Sequence, residues 1–447
     1  MQQSPARPRF LSTLGGFASG RMLKLFSSSV MDQVVLSAAN FSVGFLLIRF
    51  TSDDDYGLYV LLLTALQLMV TLQKASISGP LALVVAPKTP VERVRSVGAI
   101  KDAQRRLLLK LVVGLQAVPL AAVLTGWLTP RQALFLSLGI VCLWTSLRRE
   151  LLRDLLLLFA RADRLLLADL VFACLLAGGA ALAVLSHGAA VLWVAGTMVA
   201  AAVAGEALAF RMLADKPGWL SGDAGPVLRQ VRPLGFWAML GALTYWLYSG
   251  ATNYMLAGAL DLKAVADVNA TRLLLMPVIM LSLGVQGVVN PMAALWYAEV
   301  GLPRLIRRLA GFTLGLLVID LVYLALVWIF RDWLTHSFLH KQIGQRDELL
   351  LLWTAWALIG VLRMGLGYAL FAAGKLKVLA AQGIVSAMVA IAITGFGVRY
   401  WGAATALIGQ LAGETINLIG IGLMLREAFR PVATVQSAAS QPEKAAS

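Results

Sequence analysis

Apolar residues run along this chain in blocks of about 20, separated by short polar stretches, and about 20 is the helix length that crosses a bilayer core. The pattern predicts about 12 spans, at 28–49, 56–86, 107–126, 132–158, 165–186, 189–212, 234–258, 268–297, 309–331, 347–373, 376–398 and 401–425. The run LLLADLVFACLLAGGAALAVL over 165–185 is continuous rather than alternating. That selects helices, which satisfy their own backbone hydrogen bonds in lipid, over a β-barrel.

Charge then orients the spans. With the first 25 or so residues inside, 28 of the 38 Lys and Arg fall in one set of connecting segments. Seven fall in the other set, and Lys74, Arg272 and Arg363 fall within spans. This alternation loop by loop puts both termini in the cytoplasm, and no cleaved signal peptide is expected. Segments 87–106 and 213–233 read as basic and amphipathic, suited to lying along an anionic leaflet. The longest external loop, 336–346, has no room for a domain.

Composition closes off other classes. Of 447 residues 59% are hydrophobic and 14% charged, against roughly a quarter charged in soluble domains. The net charge of +15 therefore reflects membrane topology rather than nucleic acid. Cys142 and Cys174 lie in apolar runs and read as core residues, with neither disulfide nor metal implied.

Three local matches recur at one spacing. Asn40 in Ser-Ala-Ala-Asn-Phe pairs with Asn253 in Ser-Gly-Ala-Thr-Asn-Tyr, 213 residues on; Pro80 pairs with Pro291, 211 on; Phe159 pairs with Phe371, 212 on. The chain thus reads as an all-α polytopic membrane protein of two pseudo-symmetric six-helix lobes, 28–212 and 234–425. A cytoplasmic segment 1–27, a basic linker 213–233 and a tail 426–447 complete it. Parallel repeats of this kind enclose a cavity and rock about it in alternating access.

Residues 32–70, with polar Asn40 in the first helix and Asp55-Tyr56-Gly57-Leu58-Tyr59 opening the second, resemble the start of polysaccharide transporters. These belong to the multidrug/oligosaccharidyl-lipid/polysaccharide flippase superfamily. The turn Phe371-Ala-Ala-Gly-Lys-Leu-Lys377 is similar as well. The resemblance implies a flippase of the bacterial inner membrane carrying a lipid-linked oligosaccharide, usually on undecaprenyl pyrophosphate, from the cytoplasmic to the periplasmic leaflet. Its partners would be membrane lipids and the polymerase and glycosyltransferases of the pathway, with no nucleic acid and no cofactor beyond coupling H⁺ or Na⁺.

Ionisable groups at membrane depth are costly and normally face protein or water, which makes each a site candidate. Lys74, placed near mid-depth, and Arg272, near the external end of the eighth span, are the expected head-group contacts, since the resemblance lines the cavity with spans one, two, seven and eight. Arg272 as a snorkelling interface residue is the alternative. Arg363, Asn40, Asn253, Gln286 and Asn290 complete the substrate set, Asn40 and Asn253 facing each other across the cleft or bonding between helices. Asp32, Asp320 and Glu414 are coupling candidates. For Asp320 and Glu414 a structural network with Arg363 is the preferred reading over coupling. Glu206 is expected near a helix end, in water. Pro80 and Pro291 mark bends, and Trp127, Trp333 and Trp401 interface anchors.

Two other functions compete. A polyprenyl-dependent glycosyltransferase or polymerase would use Asp53, Asp54 and Asp55, although acids at a helix N-terminus explain that triplet more simply. A cation-coupled multidrug exporter would share the fold, and basic mid-span residues argue against its cationic cargo.

Overall fold

The computed structural model describes residues 20–85, 87–159, 161–185, 189–213, 223–373 and 376–428. Its helices are α1 (Gly20–Phe50), α2 (Asp53–Gln73), α3 (Gly79–Val85), α4 (Pro90–Leu115), α5 (Ala117–Leu124), α6 (Pro130–Leu158), α7 (Ala162–Val184) and α8 (Ala190–Leu213). They continue with α9 (Gly225–Ser249), α10 (Ala251–Ala259), α11 (Leu262–Leu274), α12 (Met276–Ile329), α13 (Arg346–Ala372), α14 (Leu376–Trp401) and α15 (Ala404–Ala428). Ten helices among the described residues are long and apolar enough to cross a membrane, and the pair formed by α11 and 276–282, bent by 59°, makes an eleventh. The chain is a multi-pass, all-helical membrane protein. The expected seventh and eighth spans are interrupted at Gly250 and at Leu275, Leu260 and Asp261 lying in the connection between them, and the expected third is interrupted at Gln116, between α4 and α5. α12 is kinked at Gly301 (φ 71°).

Local chemistry sets the ends. Ser52 caps α2 by accepting the Asp55 N–H at 3.1 Å, with three acids in the first turn, where the helix dipole favours negative charge. Thr89 with Glu92 and Thr129 with Gln132 form capping boxes at α4 and α6, each followed by proline at the first helical position. Segment 87–106 is thereby corrected: from Pro90 onward it is continuous with the third span instead of lying apart, because the Thr89 cap nucleates one helix through Leu115.

Pro80 has no N–H for the carbonyl of Ser76 four residues back. The chain winds there as a π turn, Lys74–Ser78, in which the Gly79 N–H reaches Lys74 O. Gly235 of α9 packs on that carbonyl so closely that a Cβ would stand 2.3 Å from Ser76 O. Gly57, in the Asp-Tyr-Gly-Leu-Tyr motif, likewise admits the backbone of α11: its Cβ would be 2.6 Å from Leu262 O.

The chain forms two compact units. The first comprises 1–246, 253–276 and 332–344. In it α1 packs on α7, α6 and α7 pack on α8, and α11 lies along α2. Its core includes Leu81, Ile100, Leu155, Leu165, Leu213 and Val231. The loop 332–344 is held here by Lys341 on Asp53, shared with Lys263 at 3.1 Å, and by Arg49 donating to Phe338 O at 2.7 Å. Arg131 binds Asp55 at 3.2 Å. The second unit comprises 247–252, 277–331 and 345–447; α15 packs on α13 and α14 around Leu305, Leu309, Ala369, Ile421 and Leu425. Trp127, Trp333 and Trp401 are exposed, as interface anchors are. Cys142 is buried, but Cys174 is exposed on α7, a correction to its placing in the core: an apolar run in a membrane helix has a lipid face as well as a protein face.

Candidate functional site

Four helices of the first unit bring a set of charges into one place. Arg153 on α6 binds three carboxylates at once: Asp32 of α1 at 2.9 Å, Glu150 at 2.9 Å and Asp169 of α7 at 2.6 Å. One turn away Arg149 holds the other oxygens of Glu150, at 3.1 Å, and of Asp169, with its guanidinium 3.5 Å from the centre of the Phe172 ring. Lys74 closes the set, its Nζ 2.9 Å from Glu150. Asp154, one turn beyond Glu150, lies within electrostatic reach of Lys74.

Asp169 is fully buried, and Asp32, Arg149, Glu150 and Arg153 are each less than a tenth exposed. Lys74 alone of the paired groups opens outward, with 42% of its side chain exposed. It begins the π turn, a geometry that recurs at functional sites. Among the described residues three cations thus face four carboxylates, and Asp32 Oδ1 is buried with no hydrogen-bond partner among them. Such a cluster has an electrostatic place for one more positive charge, a proton or a small cation, beside Asp32 and Asp169, two of the three carboxylates that share Arg153.

The expected residues fall in several places. Lys74 and Asp32 meet in this cluster through Glu150 and Arg153. Lys74 lies about 32 Å along its helix from Asp53, near the far boundary of a ~30 Å core rather than at mid-depth. Asn253 is buried, donating to Thr64 Oγ1 at 3.1 Å and accepting from Asn269 at 2.9 Å, whereas Asn40 is exposed, and no hydrogen bond joins the two among the described residues. Arg272 is half-buried in the last turn of α11, at the 59° bend and not at the outer end of its span. The side chains of Gln286 and Asn290 lie outside the described residues; their backbone is in α12.

In the second unit Arg363 pairs with buried Glu414. Nearby, Tyr248 donates to Gln410 O at 2.9 Å and Gln410 to Thr252 at 3.0 Å. Asp320 stands apart from this network, fully buried, with neither carboxylate oxygen hydrogen-bonded among the described residues. Glu206 is not in water: it is mostly buried and paired with Arg148.

Arg149, Glu150, Arg153 and Asp169 were not expected at the site. The charge count groups Arg149 and Arg153 with the cytoplasmic connecting segments although the expected span 132–158 contains them, and the structure buries both inside α6. Their signal was available: Arg-Arg-Glu at 148–150 with Arg-Asp at 153–154 repeats charge at i, i+3 and i+4, one helix face.

No protein-family model matches the chain, and no curated protein is significantly similar to it. Solved structures are similar in fold. A multidrug resistance MATE family transporter of the MOP superfamily in an inward-facing conformation matches with TM-score 0.70 and 13% identity, over 90% of this chain and 98% of that one. An outward-facing conformation of such a transporter matches with TM-score 0.61 and 14% identity, over 91% and 95%. A MOP superfamily transporter from Pyrococcus furiosus, described as having a binding pocket of reversed polarity that suggests a different function, matches with TM-score 0.62 and 12% identity, over 91% and 95%. The chain has the two-lobed, all-helical fold of MATE transporters.

Proposed function

We propose that this protein is a cation-coupled flippase of the bacterial inner membrane. It moves a lipid-linked oligosaccharide with a phosphate-bearing head, usually an undecaprenyl pyrophosphate, from the cytoplasmic to the periplasmic leaflet. The single observation that carries the reading is the buried cluster of the first unit, with half-exposed Lys74 at its edge. Lys74 offers an ammonium to a phosphate while Glu150 holds it in place. Behind it, Asp32 and Asp169 on Arg153 take up and release the coupling H⁺ or Na⁺ as their surroundings alternate. The sequence resemblance supplies the substrate class, and the pathway's polymerase and glycosyltransferases would supply and use that substrate.

The test is reconstitution with a fluorescent polyprenyl-pyrophosphate saccharide and an imposed proton or sodium gradient. Wild-type protein should move the probe between leaflets in response to the gradient. Lys74→Ala should abolish movement while expression and thermal unfolding stay close to wild type, since a half-exposed ion pair contributes ~1 kcal/mol or less. Full translocation by that variant would remove Lys74 from the site.

One observation favours a second reading, a cation-coupled multidrug exporter: Lys74 and Arg363 are each balanced by a carboxylate, which leaves less excess positive charge for an anionic head. Gradient-driven efflux of an organic cation by the same vesicles, without saccharide movement, would decide for it.

A further inference from the structure

A second polar recess lies on the other side of α6, within the first unit. It encloses about 60 Å³ and is lined by Lys101, Gln104 and Arg105 of α4, Arg148 of α6, and Glu206 and Phe210 of α8. Its charges are separate from the central cluster. Arg148 pairs with Glu206 and stacks over Trp144 at 4.9 Å, and the Lys101 ammonium lies 5.1 Å over the Phe210 ring. Arg105 is exposed and within electrostatic reach of Glu206. Arg148 and Arg105 thus share Glu206, and Lys101 pairs with Asp102 at 3.7 Å, so three cations stand against two carboxylates among the described residues.

The depth of the recess says what surrounds it. At ~1.5 Å per residue, Arg105 is about 29 Å from the Leu124 end of its span and Arg148 about 27 Å from Pro130. Glu206 and Phe210 are about 24 and 30 Å from Ala190 by the same measure. Three independent helices thus put these side chains one hydrocarbon thickness, ~30 Å, from their opposite ends, the level of the lipid phosphates. Immediately beyond, Leu109 and Val113, at four-residue steps from Arg105 and so on its side of α4, are exposed, an apolar stripe suited to acyl chains. An excess of cation at the phosphate plane, opening beside an acyl-chain face, is the chemistry that recognises an anionic phospholipid head.

We propose that this recess is a binding site for the phosphate of an anionic membrane phospholipid, whose acyl chains run along Leu109 and Val113 of α4. Lys101 and Arg105 donate to the phosphate; Arg148, fixed by Glu206 and Trp144, forms the floor. The site is independent of the transported substrate and of the Lys74 cluster.

The experiment uses the whole protein in nanodiscs of phosphatidylcholine alone or with phosphatidylglycerol, and native mass spectrometry with thermal unfolding as readouts. Wild type should retain phosphatidylglycerol and gain thermal stability with it. The double variant Lys101→Gln, Arg105→Gln should bind it ~30-fold more weakly, from about one factor of five per lost cation, while unfolding in phosphatidylcholine alone as wild type does. Lys110→Gln, an exposed cation outside the recess, should bind as wild type does. Equal phosphatidylglycerol retention by the double variant, or an equal loss in Lys110→Gln, would overturn the assignment. Complete displacement of the lipid by millimolar inorganic phosphate would also overturn it, by making the recess a site for a soluble oxyanion.

Discussion

The two halves of the sequence repeat in helix order but not in charge. About 212 residues beyond Asp32, Lys74, Arg149, Glu150, Arg153 and Asp169 stand Thr244, Gln286, Val361, Leu362, Gly365 and Ala381. At an offset of 212 each of these six has a neutral counterpart, and at 213 only Glu150 falls on a charge, Arg363, of opposite sign. Among the described residues, the second unit has instead one buried carboxylate paired with arginine, Glu414 with Arg363, and a buried Asp320 with no hydrogen-bond partner, its other ion pairs lying at the exposed Asp347. Apolar faces do the packing in both units, so charge is not what builds a helical unit of this kind. Its concentration in the first unit, against the cost of desolvation, is why the proposed ion chemistry is assigned there.

The sharpest way to break this comparison is Arg153→Met. Removing the group that binds Asp32, Glu150 and Asp169 takes from buried Asp32 its arginine partner and leaves Arg149 and Lys74 alone against the other two; it should cost ~3–5 kcal/mol, read as a fall in thermal unfolding temperature or loss of folded protein in detergent. A near-wild-type variant would mean that the cluster is hydrated and that burial is not what sets its energy. Next is Gly235→Ala, which drives a Cβ against the Ser76 carbonyl. It should cost about 1–3 kcal/mol by overpacking and disturb the π turn that presents Lys74; unchanged stability and transport would show that α9 gives way freely there. The smallest effect is expected from Asp320→Asn. A buried carboxyl with no ionic partner among the described residues is cheapest uncharged, and Asn copies that form, so stability should change by about 0.5 kcal/mol or less and transport should persist. Abolished gradient-driven transport in Asp320→Asn would move coupling to the second unit and reverse the comparison.

Span positions were legible because lipid demands long apolar helices, and most observed helices begin or end within a few residues of the expected bounds. The breaks in the seventh and eighth spans were not, since Gly250 and Leu275 differ little from other small and apolar membrane residues. At the site, Lys74 and Asp32 were legible as charges inside apolar runs. Glu150 and Arg153 were hidden by a sound rule applied one turn too far: basic residues near a span end usually belong to the loop. Asn253 was found as polar and repeat-related, but its partners Thr64 and Asn269 depend on how α2, α10 and α11 pack.

From the sequence alone came the membrane, the helices, the repeat and the scarcity of charge that makes each buried ion conspicuous, because hydropathy and backbone satisfaction act along the chain. Which ions meet was decided only in three dimensions. Asp32, Lys74, Arg153 and Asp169 are separated by 42, 79 and 16 positions, and Coulomb energy depends on ångströms in space. Only the packing of α1, α6, α7 and the turn after α2 turns four scattered charges into one site.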